Sequence, residues 1–347
     1  MSAPDDDVDL RHHGDAEVGA GLLDLAVNVR SSAPPPWLRG RLERSLDRLG
    51  AYPDQRAAVR AAAARHGRAE SEVLLTAGAA EAFVLLARVL RPEHALAVHP
   101  GFTEPEAALR AAGHPVHRLV LSPPYVLDPA QVPDAADLVV IGNPTNPTGV
   151  VHERLAELCR PGRTVVVDEA FADAVPGEPA SLAARDDLPG LVVVRSLTKT
   201  WALAGLRVGY LLAPAELVLR LRDAQPLWAV STLGLTALET CLARGPVAMA
   251  AKEAAALGQE RERLAAALTV LGVQVTPGSQ APYLLCRVPG RSDVREELRA
   301  RGIAVRRGDT FPGLTGEHWR TAVRGPAETA QLTAALEDLL AGPAKGR

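Results

Sequence analysis

The chain has 347 residues, 47% of them apolar and 23% charged, and its 38 Lys+Arg against 41 Asp+Glu leave a net charge of −3. That is enough apolar material for a sizeable core, while the balanced charge and 3% aromatic content exclude the basic face or stacking platform a nucleic-acid partner would need. No run approaches the roughly 20 apolar residues that span a bilayer, and the acidic opening Met1 to Asp9 is unlike a secretory signal, so a cytoplasmic protein is expected.

Residues 1–25 read as an arm, polar and without periodicity. Pro34-Pro35-Pro36 marks a stiff turn before a helical stretch over Trp37 to Leu49. From there short β-branched runs alternate with Ala/Leu/Arg-rich segments, the pattern of βα units and a largely parallel sheet. The clearest runs, Ala95-Val98, Leu138-Ile141, Thr164-Val167 and Leu191-Val194, are continuously apolar, as strands covered on both faces should be. A long helical region over 232–271 follows. Then come a strand at Tyr283 to Val288, a helix at Val294 to Arg301, strands at Gly302 to Arg306 and Trp319 to Val323, and a closing helix from Ala327. The expected fold class is α/β, with a large domain over 26–231 and a smaller α+β domain over 232–347.

Cys159, Cys241 and Cys286 are odd in number and set among apolar residues, which suits reduced core thiols. The nine histidines show no zinc-site spacing, so no metal is expected. Basic residues are almost all arginine, and any chemistry that needs a primary amine has three candidates, Lys199, Lys252 and Lys345.

Ligands of open parallel sheets collect at the carboxyl ends of strands. Here those ends deliver an amide (Gly142-Asn143-Pro144-Thr145-Asn146-Pro147-Thr148-Gly149), a carboxylate (Asp168-Glu169-Ala170-Phe171) and an amine (Arg195-Ser196-Leu197-Thr198-Lys199). The apolar flanks of Lys199 suggest burial, and Arg207 follows eight residues later. A desolvated lysine beside another cation has a lowered pKa and can attack an aldehyde. Gly78-Ala79-Ala80 ends a short strand and opens a helix, an arrangement that offers close-approaching N–H donors to a phosphate.

Together, and in this order, these motifs resemble the fold-type I aminotransferase superfamily of pyridoxal-phosphate enzymes over about residues 10–340. The resemblance implies a seven-stranded, mostly parallel sheet and pyridoxal 5'-phosphate as cofactor. It makes Lys199 the Schiff-base lysine, Asp168 the partner of the pyridinium nitrogen and Asn146 a donor to the ring hydroxyl. Gly78, Ala79, Ala80, Ser196 and Arg207 would form the phosphate cup, Phe102 would stack on the ring, and Tyr52 would reach the phosphate of a neighbouring subunit in a homodimer. Asp168 matters because a carboxylate on the ring nitrogen keeps it protonated, and a cationic ring accepts electrons from a bond broken at the substrate Cα.

Two subfamilies compete for the substrate, and both bind phosphorylated amino compounds. Phe171, the Arg320-Thr321-Ala322-Val323-Arg324 pattern and the opening Arg11-His12-His13-Gly14-Asp15 resemble the L-threonine-O-3-phosphate decarboxylases of cobalamin biosynthesis. The expectation is therefore a decarboxylase, with a histidinol-phosphate type aminotransferase using 2-oxoglutarate as the alternative. By the same resemblance Arg320 meets the substrate carboxylate, and Asn28, Arg306 and His12 line the far end of the pocket near the substrate phosphate. Arg30, Arg307 and Arg324 carry no assignment.

Overall fold

The computed structural model describes residues 8–30 and 33–341, so Lys345 and most of the acidic opening lie outside it. A turn of 3-10 helix at Gly14–Glu17 and the short strand β1 (Leu23–Asp24) precede helices α1 (Pro36–Ser45) and α2 (Arg56–His66). Proline sits in the first turn of α1, where its missing N–H breaks no helical bond, and α2 stops at Gly67, whose φ of 67° few other residues adopt.

The main sheet has seven strands: β2 (Val73–Thr76), β3 (Ala95–His99), β4 (Val116–Val120), β5 (Leu138–Gly142), β6 (Thr164–Asp168), β7 (Leu191–Ser196) and β8 (Gly209–Leu212). Their order is β2-β8-β7-β6-β5-β3-β4. Pairing is parallel from β4 through to β7, and β8 runs antiparallel to both its neighbours. The sheet is thus mixed and mostly parallel, as the resemblance implied.

The valine-rich runs feed two cores alternately. Val165 and Val167 face the side covered by α1, α2 and α6 (Thr232–Cys241), whereas Val166 faces α3 (Ala79–Leu90), α4 (Glu104–Ala111) and α5 (Ala215–Ala224). A strand covered on both faces needs apolar residues at every position, and each such side chain contributes about 1.5–3 kcal/mol of burial.

The second layer holds α7 (Arg244–Val270), β9 (Gln274–Val275), β10 (Tyr283–Arg287), α8 (Val294–Ala300), β11 (Ile303–Ala304), β12 (Arg306–Arg307), β13 (His318–Ala322) and α9 (Pro326–Ala341). Its antiparallel sheet has the order β12-β13-β10-β9 and its own core around Leu268, Leu284, Trp319 and Leu336. The single strand expected over Gly302 to Arg306 is split: Ile303 and Ala304 pair with β1, while Arg306 pairs with β13. That change of partner ties the end of the arm to the second layer. Helix α6 packs against α1 and α2 and joins the core of the main sheet, and the 27-residue α7 follows it. Among the described residues no helix is long and apolar enough to cross a membrane, and no cluster of side chains could hold a metal ion.

Candidate active site

A cavity of about 480 Å3 lies beyond the carboxyl ends of β5, β6 and β7 and extends to Arg306 and Arg320 of the second sheet. Three strand ends and the opposite layer therefore share one space, and each group in it is held by an identifiable local structure.

Lys199 comes from the loop after β7. The loop is pinned by Thr198 N–H donating to Ser196 Oγ (3.2 Å), Thr200 Oγ1 donating to Asp173 Oδ2 (2.6 Å) and Arg30 N–H donating to the Lys199 carbonyl (2.9 Å). Its Nζ lies 5.9 Å from the centre of the Phe171 ring and has no hydrogen-bond partner among the described residues. Burial, and then the positive charges of Arg320 and Arg207, lower its pKa to about 8 against the opposing pull of Asp168 and Asp15. Lys252, by contrast, is exposed on α7.

Asp168 ends β6 inside the cavity. Burial raises its pKa to about 6, moderated by the Ala170 N–H that donates to Oδ1 at 3.1 Å and by Lys199. On the neighbouring strand the loop after β5 is built from within: Asn143 Nδ2 donates to the carbonyls of His152 and Ala180 (both 3.3 Å), and Thr145 Oγ1 donates to that of Gly142 (2.7 Å). These bonds turn Asn146 toward the cavity, where its Oδ1 accepts from Arg320 Nη1 at 2.6 Å. With the oxygen engaged there, the amide nitrogen is left to donate.

At another part of the cavity wall Ala79 and Ala80 open α3, with Ser196 and Arg207 nearby. A helix start concentrates free N–H groups and the positive end of the helix dipole. Arg207 Nη1 donates only to the Ala204 carbonyl (3.2 Å), and no carboxylate partner is found for it among the described residues. Gly78 has φ 80°, and a β-carbon there would lie 2.9 Å from Arg207 Nη2, so glycine is required for the guanidinium to approach the helix start.

The second layer contributes Arg320 and Arg306. Arg320 is buried; it donates to Asn146, to the Ala26 carbonyl, and to the Asn28 amide oxygen from Nη1 (3.0 Å) and Nε (3.2 Å) in the amide orientation that satisfies both groups. Its guanidinium lies 5.2 Å from the centre of the Tyr283 ring. Burial, with Arg306 adding repulsion, lowers its pKa to about 9. Arg306 stacks on Phe311 at 4.8 Å, and burial takes its pKa to about 10.

A reactive amine, a carboxylate with a raised pKa, an amide donor, an aromatic wall at Phe102 and a phosphate-sized donor cup fit pyridoxal 5'-phosphate in kind and number. The cavity wall includes Lys199, Asp168, Asn146, Ala79, Ala80, Ser196, Arg207, Phe102, Asn28, Arg306 and Arg320, all expected from the sequence, with Gly78 directly behind. Two expected residues stand elsewhere. The His12 side chain pairs with Glu17 (2.9 Å), and only its carbonyl meets Arg306, so His13 takes the place in the wall. Tyr52 is 76% exposed and stacks on Trp228 with ring centres 4.1 Å apart, outside the cavity.

Sequence reasoning missed His13, Asp15, Phe311 and Tyr283. Tyr283 is fully buried, meets Phe171 edge-on at 5.0 Å and donates to the Thr145 carbonyl at 3.1 Å, which braces the Asn146 loop from the second layer. Its signal is an aromatic hydroxyl at the start of a predicted strand; the others follow no pattern that points to a pocket.

Residues 20–339 match the family Aminotransferase class I and II. A Mycobacterium tuberculosis protein named histidinol-phosphate aminotransferase is 52% identical over 90% of this chain and 87% of its own length. The threonine-phosphate decarboxylase of Salmonella typhimurium is 32% identical over 92% of both chains. Among solved structures, a histidinol-phosphate aminotransferase from Clostridium acetobutylicum superposes with a TM-score of 0.85 at 23% identity, covering 92% of this chain and 99% of that one, which establishes the fold.

The expectation of a decarboxylase is overturned by that contrast of 52% with 32% identity. The geometry shows why two of the three sequence signs misled. Arg324 donates to the Val27 carbonyl (2.7 Å) and does not line the main cavity, and the His12 side chain faces Glu17, whereas Phe171 does line the cavity, packed edge-on against Tyr283. What the family match and the geometry share is the cofactor machinery: the chain belongs to the class I and II aminotransferase family, whose cofactor is pyridoxal 5'-phosphate.

Proposed function

We propose that the chain is an aminotransferase of the histidinol-phosphate type, moving an amino group between a phosphorylated amino alcohol and 2-oxoglutarate. The observation that carries this reading is the 52% identity to proteins of that name across nine-tenths of the chain. The buried arginines Arg306 and Arg320 beside Lys199 support it, because they suit anionic substrates.

When bound, the coenzyme supplies an aldehyde for the substrate amine and an electron-withdrawing ring for cleavage of a bond at Cα. The remaining work belongs to the chain. Lys199, whose pKa of about 8 leaves a minority of neutral amine at physiological pH, would hold the coenzyme through its side-chain nitrogen and could move a proton at the substrate Cα. Asp168 would hold the proton of the ring nitrogen, and Asn146 Nδ2 would donate to the ring hydroxyl. Ser196, Arg207 and the start of α3 at Gly78-Ala79-Ala80 would hold the coenzyme phosphate, and Phe102 would pack on the ring. Arg320 binds the carboxylate of the acidic co-substrate as a planar two-pronged donor. Arg306 and Asn28 serve the distal anionic group. Tyr52, exposed on its stack with Trp228, reaches the coenzyme phosphate of a second subunit in a homodimer.

The test is direct. Protein loaded with coenzyme and given histidinol phosphate and 2-oxoglutarate should form glutamate, one for each amine consumed. No glutamate from that pair overturns the proposal. Size-exclusion chromatography with light scattering checks the dimer.

A further inference from the structure

Tyr283 is fully buried where the second layer meets the loop after β5, and the proposed function gives it no part. Burial raises the pKa of its hydroxyl, against the pull of Arg320, so the group stays protonated and acts as a donor. It donates to the Thr145 carbonyl at 3.1 Å, which also accepts from the Gly149 N–H at 2.7 Å. Two further contacts close the same seam: Gln280 N–H donates to the Gly149 carbonyl at 2.8 Å, and Val150 bridges Ser279. A β-carbon at Gly149 would collide with Ser279, so the seam has no slack. Asn146 follows Thr145 in this loop. The ring of Tyr283 makes the second contact. Leu285 is the register partner of Arg320, and Tyr283 lies two residues back on the same face of β10, so its ring and the guanidinium are diagonal neighbours 5.2 Å apart. The ring also meets Phe171 edge-on at 5.0 Å. One side chain of the second layer therefore reaches Asn146 through its tip and Arg320 through its face.

We propose that Tyr283 is a positioning residue of the coenzyme site, its hydroxyl aiming the Asn146 amide at the ring hydroxyl and its ring seating the Arg320 guanidinium. The first role rests on the coenzyme alone, and the second rests on the reading of Arg320 as the seat of the acidic co-substrate. The two roles are separable because they belong to different atoms. Phenylalanine at 283 keeps the ring and loses the donor, whereas leucine loses both. A loop residue is aimed only as well as its neighbours are held, and the Thr145 carbonyl is the last main-chain acceptor before Asn146. Without the hydroxyl that carbonyl keeps one partner, Gly149, which belongs to the same loop and moves with it. The link to the second layer is then lost at this point, and the amide at 146 donates less well.

The test uses coenzyme-loaded protein and reads its visible absorbance across pH, a signal of protonation at the nitrogen that links Lys199 to the coenzyme. Arg320, Arg207, Asp168 and Asp15 are the charges acting on the Lys199 amine, and Tyr283→Phe alters none of them. Weaker donation from Asn146 leaves more negative charge on the ring oxygen, which holds that proton more tightly. The midpoint in Tyr283→Phe should therefore rise by about 0.3–1 pH unit, the span of a weakened hydrogen bond. In an Asn146→Ala background the same substitution should move it by less than about 0.2 pH unit, because the group it acts through is gone. The melting temperature is measured alongside, since a purely structural role would lower it and leave the midpoint in place. Tyr283→Phe should keep the affinity for 2-oxoglutarate, measured by calorimetry, within about twofold, and Tyr283→Leu should weaken it about three- to tenfold. An unchanged midpoint in Tyr283→Phe, or an equal rise in the Asn146→Ala background, overturns the role of the hydroxyl. Equal affinities in wild type and Tyr283→Leu overturn that of the ring. If wild type does not bind 2-oxoglutarate, the co-substrate reading fails and the role of the ring with it, and the midpoints still decide the role of the hydroxyl.

Discussion

Arg306 and Arg320 are directly opposed partners on the antiparallel strands β12 and β13, both buried; Arg306 Nη1 lies 3.9 Å from Glu17 Oε1, and among the described residues neither arginine has a carboxylate within hydrogen-bond distance. Two like charges across a strand pair repel, and removing them from water adds a further penalty. The arrangement makes sense as a seat for anions. Arg320→Met is therefore expected to lower kcat/KM for 2-oxoglutarate by about a hundredfold or more, since the acidic co-substrate loses a bidentate, desolvated partner. The spectrum of bound coenzyme should persist. Steady-state kinetics with 2-oxoglutarate varied checks this.

Lys199 links charge to pH. Its pKa is depressed from 10.5 to about 8, chiefly by burial, so between those values the unfolded chain binds a proton that the folded chain does not. The stability of the coenzyme-free protein attributable to this group therefore rises as pH goes from about 8 to 10.5 and is lost as pH falls through about 8. The rate of coenzyme capture should rise through the same lower limit, because only the neutral amine attacks the aldehyde. In Arg320→Met the midpoint should move upward, since the strongest charge acting on the amine is gone. Visible absorbance of coenzyme added to the apoprotein across pH reads both effects.

Asp168 titrates in the opposite sense. Burial raises its pKa from 3.8 to about 6, so the folded apoprotein holds a proton that the unfolded chain has released in that window, and this contribution to stability falls as pH rises through it. Asp168→Asn should remove that slope in melting temperature against pH. It should also reduce turnover by roughly 10²–10⁴-fold while coenzyme remains bound, because the ring nitrogen loses the group that keeps its proton.

Behind the site, Arg195 joins Glu169 (2.9 Å) and Glu178 (2.8 Å), with its side chain 6% exposed. Arg195→Met should destabilise the fold by about 3–5 kcal/mol, because the buried Glu169 loses its cation and the half-buried Glu178 is left with Arg65 alone. Denaturant unfolding measures it, and a loss confined to activity would contradict the structural role.

The βα alternation and the motifs at three strand ends were legible because they rest on local rules. Doubly covered strands need unbroken apolar runs, and polar groups at strand ends announce a pocket. That is why Lys199, Asp168 and Asn146 converge as expected. The pairing of β1 with β11 and the brace from Tyr283 depend on contacts between residues far apart in sequence, about 280 apart for Leu23 and Ile303, which no periodicity encodes. The exchange of His12 for His13 turns on a one-residue register in an irregular segment, where neighbouring side chains point different ways. The choice of reaction failed for a related reason: the Arg324 guanidinium is engaged by the Val27 carbonyl and the His12 ring by Glu17, contacts between distant or irregular segments that residue type alone does not announce.

Gly78 and Arg207 constrain each other. The first adopts a φ of 80° and leaves its β-carbon space to the Nη2 of the second; the second is itself a non-glycine residue at a φ of 49°. A side chain at 78 is strained by that φ and also displaces the guanidinium, so a shorter residue at 207 relieves only the second penalty. A library randomised at both codons and selected for growth should accordingly return glycine at 78 even where 207 has become small.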